Sequence, residues 1–238
     1  MTSILAAPVS VAAVDLTVDA VPLSATDAER AAVAAHFAAA TAANPKIWNG
    51  PFYLFERAGP VTAAGFSAHA RRTDFATFLH WRAAPDARFT HIFPVAAVTT
   101  ADDRLLVGVM GAATANPGKI YPPSGSFDPD DETDGRLDPV ANMVRELAEE
   151  VGLDVAGLTP DPGFVLYPAG PCRIAIVRRF RAPAPSAAYA PAIAAHVAAD
   201  PHQELAAFRF LGFDERIAPT ATVGYVDALL ADLATRRI

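Results

Sequence analysis

The chain has 238 residues, 52% of them hydrophobic, which is ample for a packed core and fits one large domain or two small ones. Its formal net charge is −7 without a dense Lys/Arg run, which disfavours a nucleic-acid partner. The single cysteine, Cys172, excludes a disulfide framework and fits a reducing compartment. No apolar run is long enough to cross a bilayer and no cationic residue precedes Arg30, so we expect a cytoplasmic protein without a membrane partner.

The first part of the chain, residues 1–88, predicts an N-terminal α+β accessory region. Three segments have strand composition, the last two joined by a Gly-Pro turn: VSVAAVDLTV, PFYLFERA and VTAAGFSAHARR. The segment TDAE, from Thr26 to Glu29, is a capping-box signature and opens an Ala-rich helix that should end near Ala43. TDFATFLHWR predicts a short helix with its aromatic rings turned inward, either as core or as the lining of a base pocket.

The second part, residues 89–238, predicts strands that alternate with helices. FTHIFPVAAVTT and RLLVGVMG flank a three-residue hairpin turn, and a loop rich in Pro, Gly and Asp follows over residues 116–136. Beyond the next helix come a strand, CRIAIVRRFRA, and a helix, PSAAYAPAIAAHVAA, broken or kinked at Pro191. LAAFRFL predicts a further strand, and TATVGYVDALLADLATRR predicts a closing helix.

The helix predicted between the loop and the strand CRIAIVRRFRA contains an unusual number of acidic residues. Asp138-Pro139 is a favourable start and Gly152 a favourable end. Apolar residues recur at helical spacing and predict one buried stripe: Val140, Val144, Leu147 and Val151. The remaining arc would then carry one arginine and three glutamates: Arg145, Glu146, Glu149 and Glu150. That arc is either a solvated face or a metal site, because clustered carboxylates repel each other and a divalent cation relieves the repulsion.

The loop and helix together, residues 122–153, resemble the Nudix box, the signature of the Nudix hydrolase superfamily. The second half, RELAEEVGL, matches every fixed position: Arg145, Glu146, Leu147, Glu149, Glu150, Gly152 and Leu153. In the first half, Gly125 is followed after five residues by Asp131, but thirteen residues rather than seven then precede the arginine. The box therefore contains a six-residue insertion, and its upstream glutamate is replaced by Asp131 or corresponds to Glu132.

The resemblance implies a Nudix α/β/α sandwich with a mixed sheet over residues 89–238, to which the N-terminal region is an extension. It implies that Glu149 and Glu150 bind Mg²⁺ or Mn²⁺, that Glu146 is a further ligand or helps to activate water, and that the Gly125 carbonyl completes the metal shell. Arg145 would hold the glutamates in place, because its planar donor fork suits carboxylates. Metal and carboxylates together would neutralise phosphate charge and activate water.

Three residues outside the helix are further candidates. Many Nudix enzymes use an acid outside the box as general base, and Glu204, just before a predicted strand, is the candidate here; the alternative is a solvated acid. Lys119 is a candidate phosphate ligand or a plain loop lysine. Tyr167 and Pro168 follow the box: ADP-ribose types of Nudix enzyme have a proline at this spacing and dinucleoside-polyphosphate types a tyrosine nearby, so Tyr167 is a candidate substrate-binding residue; the alternative is one of the Pro-rich turns common in this chain. The six histidines form no ligand pattern.

The resemblance implies hydrolysis of a phosphoanhydride in a nucleoside diphosphate linked to another moiety, such as a UDP-sugar or an ADP-ribose-like compound. The N-terminal region and the box insertion are similar to a UDP-sugar diphosphatase-like branch. One rival is a catalytically weak Nudix-fold module that binds nucleotides and regulates. A diphosphate isomerase would need a cysteine before the box, whereas Cys172 follows it. A chance motif on a structural scaffold is a third rival. The partner expected is a small nucleotide derivative, and a homodimer stays open.

Overall fold

The computed structural model describes residues 5–235, which form two β-sheets and five α-helices. The strands, in chain order, are β1 (Val9–Val11), β2 (Val14–Val18), β3 (Pro51–Ala58), β4 (Phe66–Asp74), β5 (His91–Thr99), β6 (Arg104–Met110), β7 (Ile120–Tyr121), β8 (Glu132–Thr133), β9 (Arg136–Leu137), β10 (Thr159–Pro160), β11 (Phe164–Pro168), β12 (Arg173–Arg181) and β13 (Leu205–Gly212). The helices are α1 (Asp27–Ala43), α2 (Phe75–Ala83), α3 (Pro139–Val151), α4 (Ser186–Ala199) and α5 (Val226–Thr235).

The larger sheet confirms the predicted mixed α/β class. Its strands run in the order β1-β11-β12-β5-β6-β13, with β7 beside β6 and β10 beside β12. The β5–β12 pair is parallel and its neighbours are antiparallel. All nine residues of β5 are buried, so both faces of the sheet are covered at its centre. Helix α3 packs against β5, helix α4 packs against β13 and α3, and α5 bonds to β11 through Tyr167 and Asp232, so the sheet is layered with helices.

The smaller sheet, in the order β3-β4-β2-β9-β8, draws strands from both parts of the chain. β9 and β8 come from the box insertion, while β1 of the first part joins the larger sheet. The boundary between the sheets therefore does not fall at residue 88. The prediction of one strand over residues 9–18 was wrong, because the chain passes from one sheet to the other at Ala12 and Ala13. The Ala12 N–H donates to the Ala63 carbonyl in the loop before β4, and the Ala13 carbonyl accepts from the N–H of Phe66, the first residue of β4.

The box insertion forms a β-hairpin rather than the irregular loop that its composition predicted. Strands β8 and β9 are joined by Asp134 and Gly135, whose φ angles are +51° and +73°. Asp-Gly is the preferred pair for such a two-residue turn, because both positions need positive φ. Glu132 of the hairpin accepts hydrogen bonds from the Tyr53 hydroxyl at 2.7 Å and from Arg72 Nε at 3.0 Å. The insertion is thereby fixed to the smaller sheet.

The predicted helices are confirmed, except that α4 is not broken at Pro191 and the closing helix α5 is shorter than predicted. Thr26 and Glu29 make the capping box that starts α1. Helix α4 continues through Pro191 without a break. The closing helix begins at Val226 rather than near residue 220, after a short 3-10 turn, and the predicted residues 236 and 237 lie outside the described range. Among residues 5–235, no helix has both the length and the apolar character needed to span a membrane.

Candidate metal and phosphate site

Helix α3 is fixed at both ends as its sequence predicted. The Asp138 side chain accepts hydrogen bonds from the backbone N–H groups of Val140, at 2.8 Å, and Ala141, at 3.2 Å. Gly152 closes the helix in the left-handed region with φ +66°, where glycine has no steric penalty. These two caps hold the helix rigidly across the larger sheet, so the directions of its acidic side chains are determined.

The buried face of α3 differs from the predicted stripe. Its interior residues include Met143, Glu146, Leu147, Glu150 and Val151, whereas Val140 and Val144 are only partly buried. The helix is therefore rotated so that two of the three box glutamates face inward. Glu146 and Glu150 are 7% and 4% exposed, whereas the side chain of Glu149 is 55% exposed. A pattern of apolar residues cannot indicate a buried carboxylate. The apolar stripe therefore predicted the wrong face of the helix as the buried one.

Glu146 and Glu150 are two buried acids that repel each other. The pKa of Glu146 is raised to about 8, mainly by burial; the charge of Arg145 opposes this rise, and nearby Glu204 and Glu149 add to it. Burial also raises the pKa of Glu150 well above its usual range, and Glu146 adds to that effect. A hydrogen bond from the backbone of Ser124 opposes it only in part. Without a cation, burial and mutual repulsion thus favour the protonated forms of these acids.

Arg145 forms ion pairs with three acids at this site. Its guanidinium lies 3.1 Å from Asp131, 3.0 Å from Glu146 and 3.1 Å from Glu149. Asp131 is buried and also accepts a hydrogen bond from Asn142 at 2.8 Å. Of the two candidates for the upstream acid of the box, Asp131 thus reaches the site, while Glu132 is bound to the smaller sheet. Glu149 is turned toward Arg145 and solvent in this conformation.

Gly125 lies directly against Glu146. A Cβ atom added at Gly125 would be 1.9 Å from Glu146 Oε1, so no side chain fits there while Glu146 keeps its position. The neighbouring Ser124 contacts Glu150 through its backbone. The segment from Ser124 to Ser126 therefore lies over the two buried carboxylates.

Glu204 lies on the loop before β13, on the same side of the molecule as the α3 acids. Its negative charge acts on both Glu146 and Glu150. Burial of its carboxyl raises the pKa of Glu204, and nearby Asp200 and Glu149 add to this. The residue as a whole is exposed, which limits the shift through solvent screening. The charge of Glu204 thus raises the pKa of the two buried glutamates, while the residue itself is open to solvent.

Lys119 and Tyr167 have protein partners of their own. The Lys119 ammonium donates a hydrogen bond of 2.7 Å to the Thr220 carbonyl. Tyr167 is fully buried, and its hydroxyl donates a 2.7 Å hydrogen bond to Asp232 of α5. Tyr167 lines a cavity with Phe164 and Asp232 that does not include the box residues. The site formed by α3 and the Ser124–Ser126 segment therefore includes neither residue.

A cavity of about 80 Å³ opens beside Gly125, and no sequence motif predicted it. Its wall includes residues from four separate segments of the chain: His91, Phe93, Tyr121, Gly125, Arg173 and Tyr225. Burial lowers the pKa of His91 well below its usual range, and Arg173 and Arg82 add to the effect, so its ring is neutral. The histidines had suggested no site because a single ring far from the box in sequence has no motif.

The donor set at Glu146 and Glu150 fits a divalent cation with hard oxygen ligands. The two buried carboxylates lack a cationic partner of their own except for Arg145 at Glu146. Mg²⁺ commonly binds proteins through one or two carboxylates and completes its shell with water and substrate phosphate. No group of three or more His, Cys, Asp or Glu side chains within residues 5–235 is arranged as a complete metal-binding set. A two-carboxylate site of this kind needs no such set.

The raised pKa of Glu146 predicts an unusual pH dependence of stability in the metal-free protein. The folded protein holds a proton on Glu146 up to about pH 8, whereas the unfolded chain releases it near 4.5. The folded state therefore binds more protons between these values, and its free energy of unfolding falls as the pH rises through that window. We expect a loss of up to about 1.4 kcal/mol per pH unit for one carboxyl. Urea unfolding in EDTA from pH 5 to pH 8 measures it.

Glu146→Gln is the matched variant for this pH dependence. Glutamine has nearly the same shape and no proton to release, so the variant should lose most of the decline while wild type keeps it. Added Mg²⁺ should stabilise wild type more at pH 8 than at pH 6, because binding requires the ionised carboxylates. A metal-free wild type whose stability is flat or rises between pH 5 and pH 8 would show that Glu146 is not held protonated.

Comparison with known proteins places these residues beside known structures. No family model and no curated protein sequence matches the chain. Solved structures do match. The Nudix hydrolase RenU of M. smegmatis is 16% identical, with a TM-score of 0.38 over 62% of this chain and 86% of its own. The C. elegans Ap4A hydrolase is 15% identical, with a TM-score of 0.38 over 60% of this chain and 96% of its own.

A third similar structure is the bifunctional NMN adenylyltransferase/ADP ribose pyrophosphatase of Francisella tularensis. It is 17% identical, with a TM-score of 0.41 over 66% of this chain and 43% of its own.

Proposed function

We propose that this protein is a Nudix-type hydrolase that cleaves the phosphoanhydride of a nucleoside diphosphate linked to another moiety. The observation that carries the proposal is the burial of Glu146 and Glu150 side by side under the Ser124–Ser126 segment. Two buried like charges destabilise the fold unless a cation binds between them. A protein with only a structural role would gain nothing from such a pair. Perturbed acids of this kind cluster at functional sites.

In this proposal the ion is Mg²⁺ or Mn²⁺, and Glu146 and Glu150 are its principal protein ligands. Glu149 is the third ligand implied by the box; its exposed pairing with Arg145 is weak enough to exchange. The Gly125 carbonyl is a fourth donor beside them. When bound, the ion supplies charge neutralisation for the phosphates and a lower pKa for a water molecule.

The protein's own groups divide the remaining work. Arg145 fixes Asp131, Glu146 and Glu149 relative to one another through its planar fork. Glu204 accepts the proton of the attacking water, since its carboxylate acts electrostatically on the buried pair and the residue is open to solvent. The water oxygen forms a bond to one phosphorus, the anhydride P–O bond breaks, and the leaving phosphate keeps the bridging oxygen.

A panel of nucleotide derivatives tests the function. The compounds should have phosphates esterified at both ends, such as UDP-sugars, ADP-ribose and dinucleoside polyphosphates. A phosphatase does not attack these until the anhydride is cut, so phosphate release in a coupled assay reports the hydrolase alone. We expect Mg²⁺-dependent release from one class, with UDP-sugars and ADP-ribose-like compounds as the leading candidates, and none in EDTA.

The same panel separates the hydrolase from a nucleotide-binding module. Each compound is also added to the protein in a thermal unfolding assay, with Mg²⁺ and in EDTA. Turnover in Mg²⁺ supports the hydrolase. A rise in the melting temperature with a compound that is not hydrolysed, even after long incubation with Mn²⁺, would replace the hydrolase with a binding module.

A further inference from the structure

The first residues of β5 and β12 place a histidine and an arginine side by side. His91 and Arg173 are partners in the parallel register of these strands, and Phe93 lies two residues further along β5. Neighbours in register and alternate residues of a strand point to the same face of a sheet, so the three side chains share one face. The His91 and Phe93 rings are stacked with their centres 5.0 Å apart, and the Arg173 guanidinium lies over Phe93, 5.2 Å from its centre. All three residues line the cavity beside Gly125.

Arg173 is a cation without an acidic partner. Within residues 5–235, no carboxylate forms an ion pair with it, and its buried Nε donates no hydrogen bond. Burial lowers the pKa of Arg173, and the charge of nearby Arg82 lowers it further. Arg145 of α3, by contrast, is paired with acids. In a chain of net charge −7, a half-buried arginine without a countercharge is unusual.

The wall of the cavity offers hydrogen-bond donors and no acid. None of the described residues that line it is Asp or Glu, although the buried acids of α3 are close by. The Tyr121 hydroxyl accepts a hydrogen bond of 3.4 Å from the Asn116 side chain, which leaves its own proton free to be donated. The buried Tyr225 hydroxyl has no partner other than nearby Ser124, and Nδ1 of His91 is buried without one. The wall is therefore complementary to an anion with several acceptor oxygens.

The cavity lies between Arg173 and the acidic pair of α3. Gly125 forms part of its wall and also contacts Glu146. Burial raises the pKa of both cavity tyrosines; the charge of Glu150 adds to each shift, and the charge of Arg173 opposes each. The volume of about 80 Å³ compares with roughly 10–15 Å³ for one water molecule, so a group as large as a phosphate fits.

We propose that Arg173 binds one phosphate group of the substrate in the cavity beside Gly125, with Tyr121 and Tyr225 as further hydrogen-bond donors. A guanidinium binds phosphate oxygens through paired hydrogen bonds, and the anion supplies the charge that this wall lacks. The second phosphate of a diphosphate then lies at the carboxylates of α3. The assignment to the substrate rests on the proposed function; the binding of phosphate by Arg173 does not.

Binding of inorganic phosphate in EDTA tests the site independently of catalysis. Titration calorimetry against a chloride control of equal ionic strength measures the dissociation constant. We expect wild type to bind phosphate and Arg173→Gln to bind it at least about 10-fold more weakly. Arg173→Lys should fall between them, because lysine keeps the charge without the planar fork. Arg178→Gln is the matched control and should bind like wild type, because Arg178 also lies on β12 and over an aromatic ring, that of Phe164, but does not line the cavity.

Tyr225→Phe separates a binding role from a structural one. The variant keeps the ring and loses the hydroxyl, so it should bind phosphate about 3-fold more weakly. In phosphate-free buffer it should unfold at the temperature of wild type or higher, because it removes a buried hydroxyl that lacks a good partner. A loss of phosphate binding with a lowered melting temperature in both Tyr225→Phe and Arg173→Gln would assign these residues to the fold and overturn the site.

Competition by inorganic phosphate decides whether the bound phosphate belongs to the substrate. Turnover of the compound identified in the panel is followed by chromatography of the nucleotide product, since added phosphate masks phosphate release. We expect phosphate to inhibit wild type competitively, and Arg173→Gln to have a higher KM and to lose most of this inhibition. Inhibition that leaves KM unchanged would assign the cavity to free phosphate and overturn the substrate assignment.

The outcomes for this site and for the hydrolase are separable. No phosphate binding by wild type above the chloride control, or equal weakening in Arg178→Gln, would overturn the site. Turnover without phosphate binding removes this proposal alone. Phosphate binding that depends on Arg173, without turnover of any compound, keeps the anion site and removes the hydrolase.

Discussion

Replacing Glu150 by glutamine should lower turnover of the compound identified in the panel by at least about 100-fold. Glutamine keeps the shape of the side chain but loses the charge that holds the metal, and even outer-shell partners of a metal typically contribute 10- to 100-fold. The metal-free variant should be as stable as wild type or more so, because the substitution removes repulsion with Glu146. Steady-state kinetics and urea unfolding measure the two effects on the same preparation.

Glu215→Gln is the matched control for Glu150→Gln. Glu215 is a surface acid paired with Arg209, away from α3, and its loss should change neither turnover nor stability by more than a small amount. A Glu150→Gln variant that retains wild-type turnover would remove Glu150 from the metal site. A variant that loses turnover only because it unfolds would show itself in the urea experiment.

Gly125→Ala should lower kcat by about 100-fold while leaving stability nearly unchanged. The new methyl group would lie 1.9 Å from Glu146 Oε1, and the end of that flexible side chain is what must move. A shift of about 1 Å in a catalytic group is enough for a loss of this size. Kinetics at saturating substrate and a Mg²⁺ titration measure it, and the variant should also need more Mg²⁺.

Gly157→Ala is the matched control for Gly125→Ala, because an added Cβ at Gly157 meets nothing within 4 Å. It should retain full activity. If Gly125→Ala is as active as wild type at the same Mg²⁺ concentration, then Glu146 is not held where this structure has it during turnover.

The sequence alone was sufficient for the elements whose signals are local. The caps of α3 at Asp138 and Gly152 follow from residue preferences at helix ends, and the predicted strands β5, β6, β12 and β13 follow from apolar runs. The hairpin of the box insertion could also have been predicted, because Asp134-Gly135 is a strong turn signal. The surrounding Pro, Gly and Asp residues are turn signals as well, so this pair does not stand out from the loop.

Features that depend on packing were beyond the sequence. The inward direction of Glu146 and Glu150 depends on which side of α3 meets the sheet, and the apolar stripe alone indicated another side. The split of residues 9–18 between two sheets depends on partners far away in the chain.

Metal binding by the buried acid pair is the central claim, and Mn²⁺ titration followed by electron paramagnetic resonance tests it most directly. Free Mn²⁺ gives a strong signal that is lost on binding, so the method needs no substrate. We predict one site per chain in wild type, and at least about 10-fold weaker binding in Glu146→Gln and Glu150→Gln than in Glu215→Gln. Equal binding by all four proteins, or no binding by wild type at pH 8, would contradict the account.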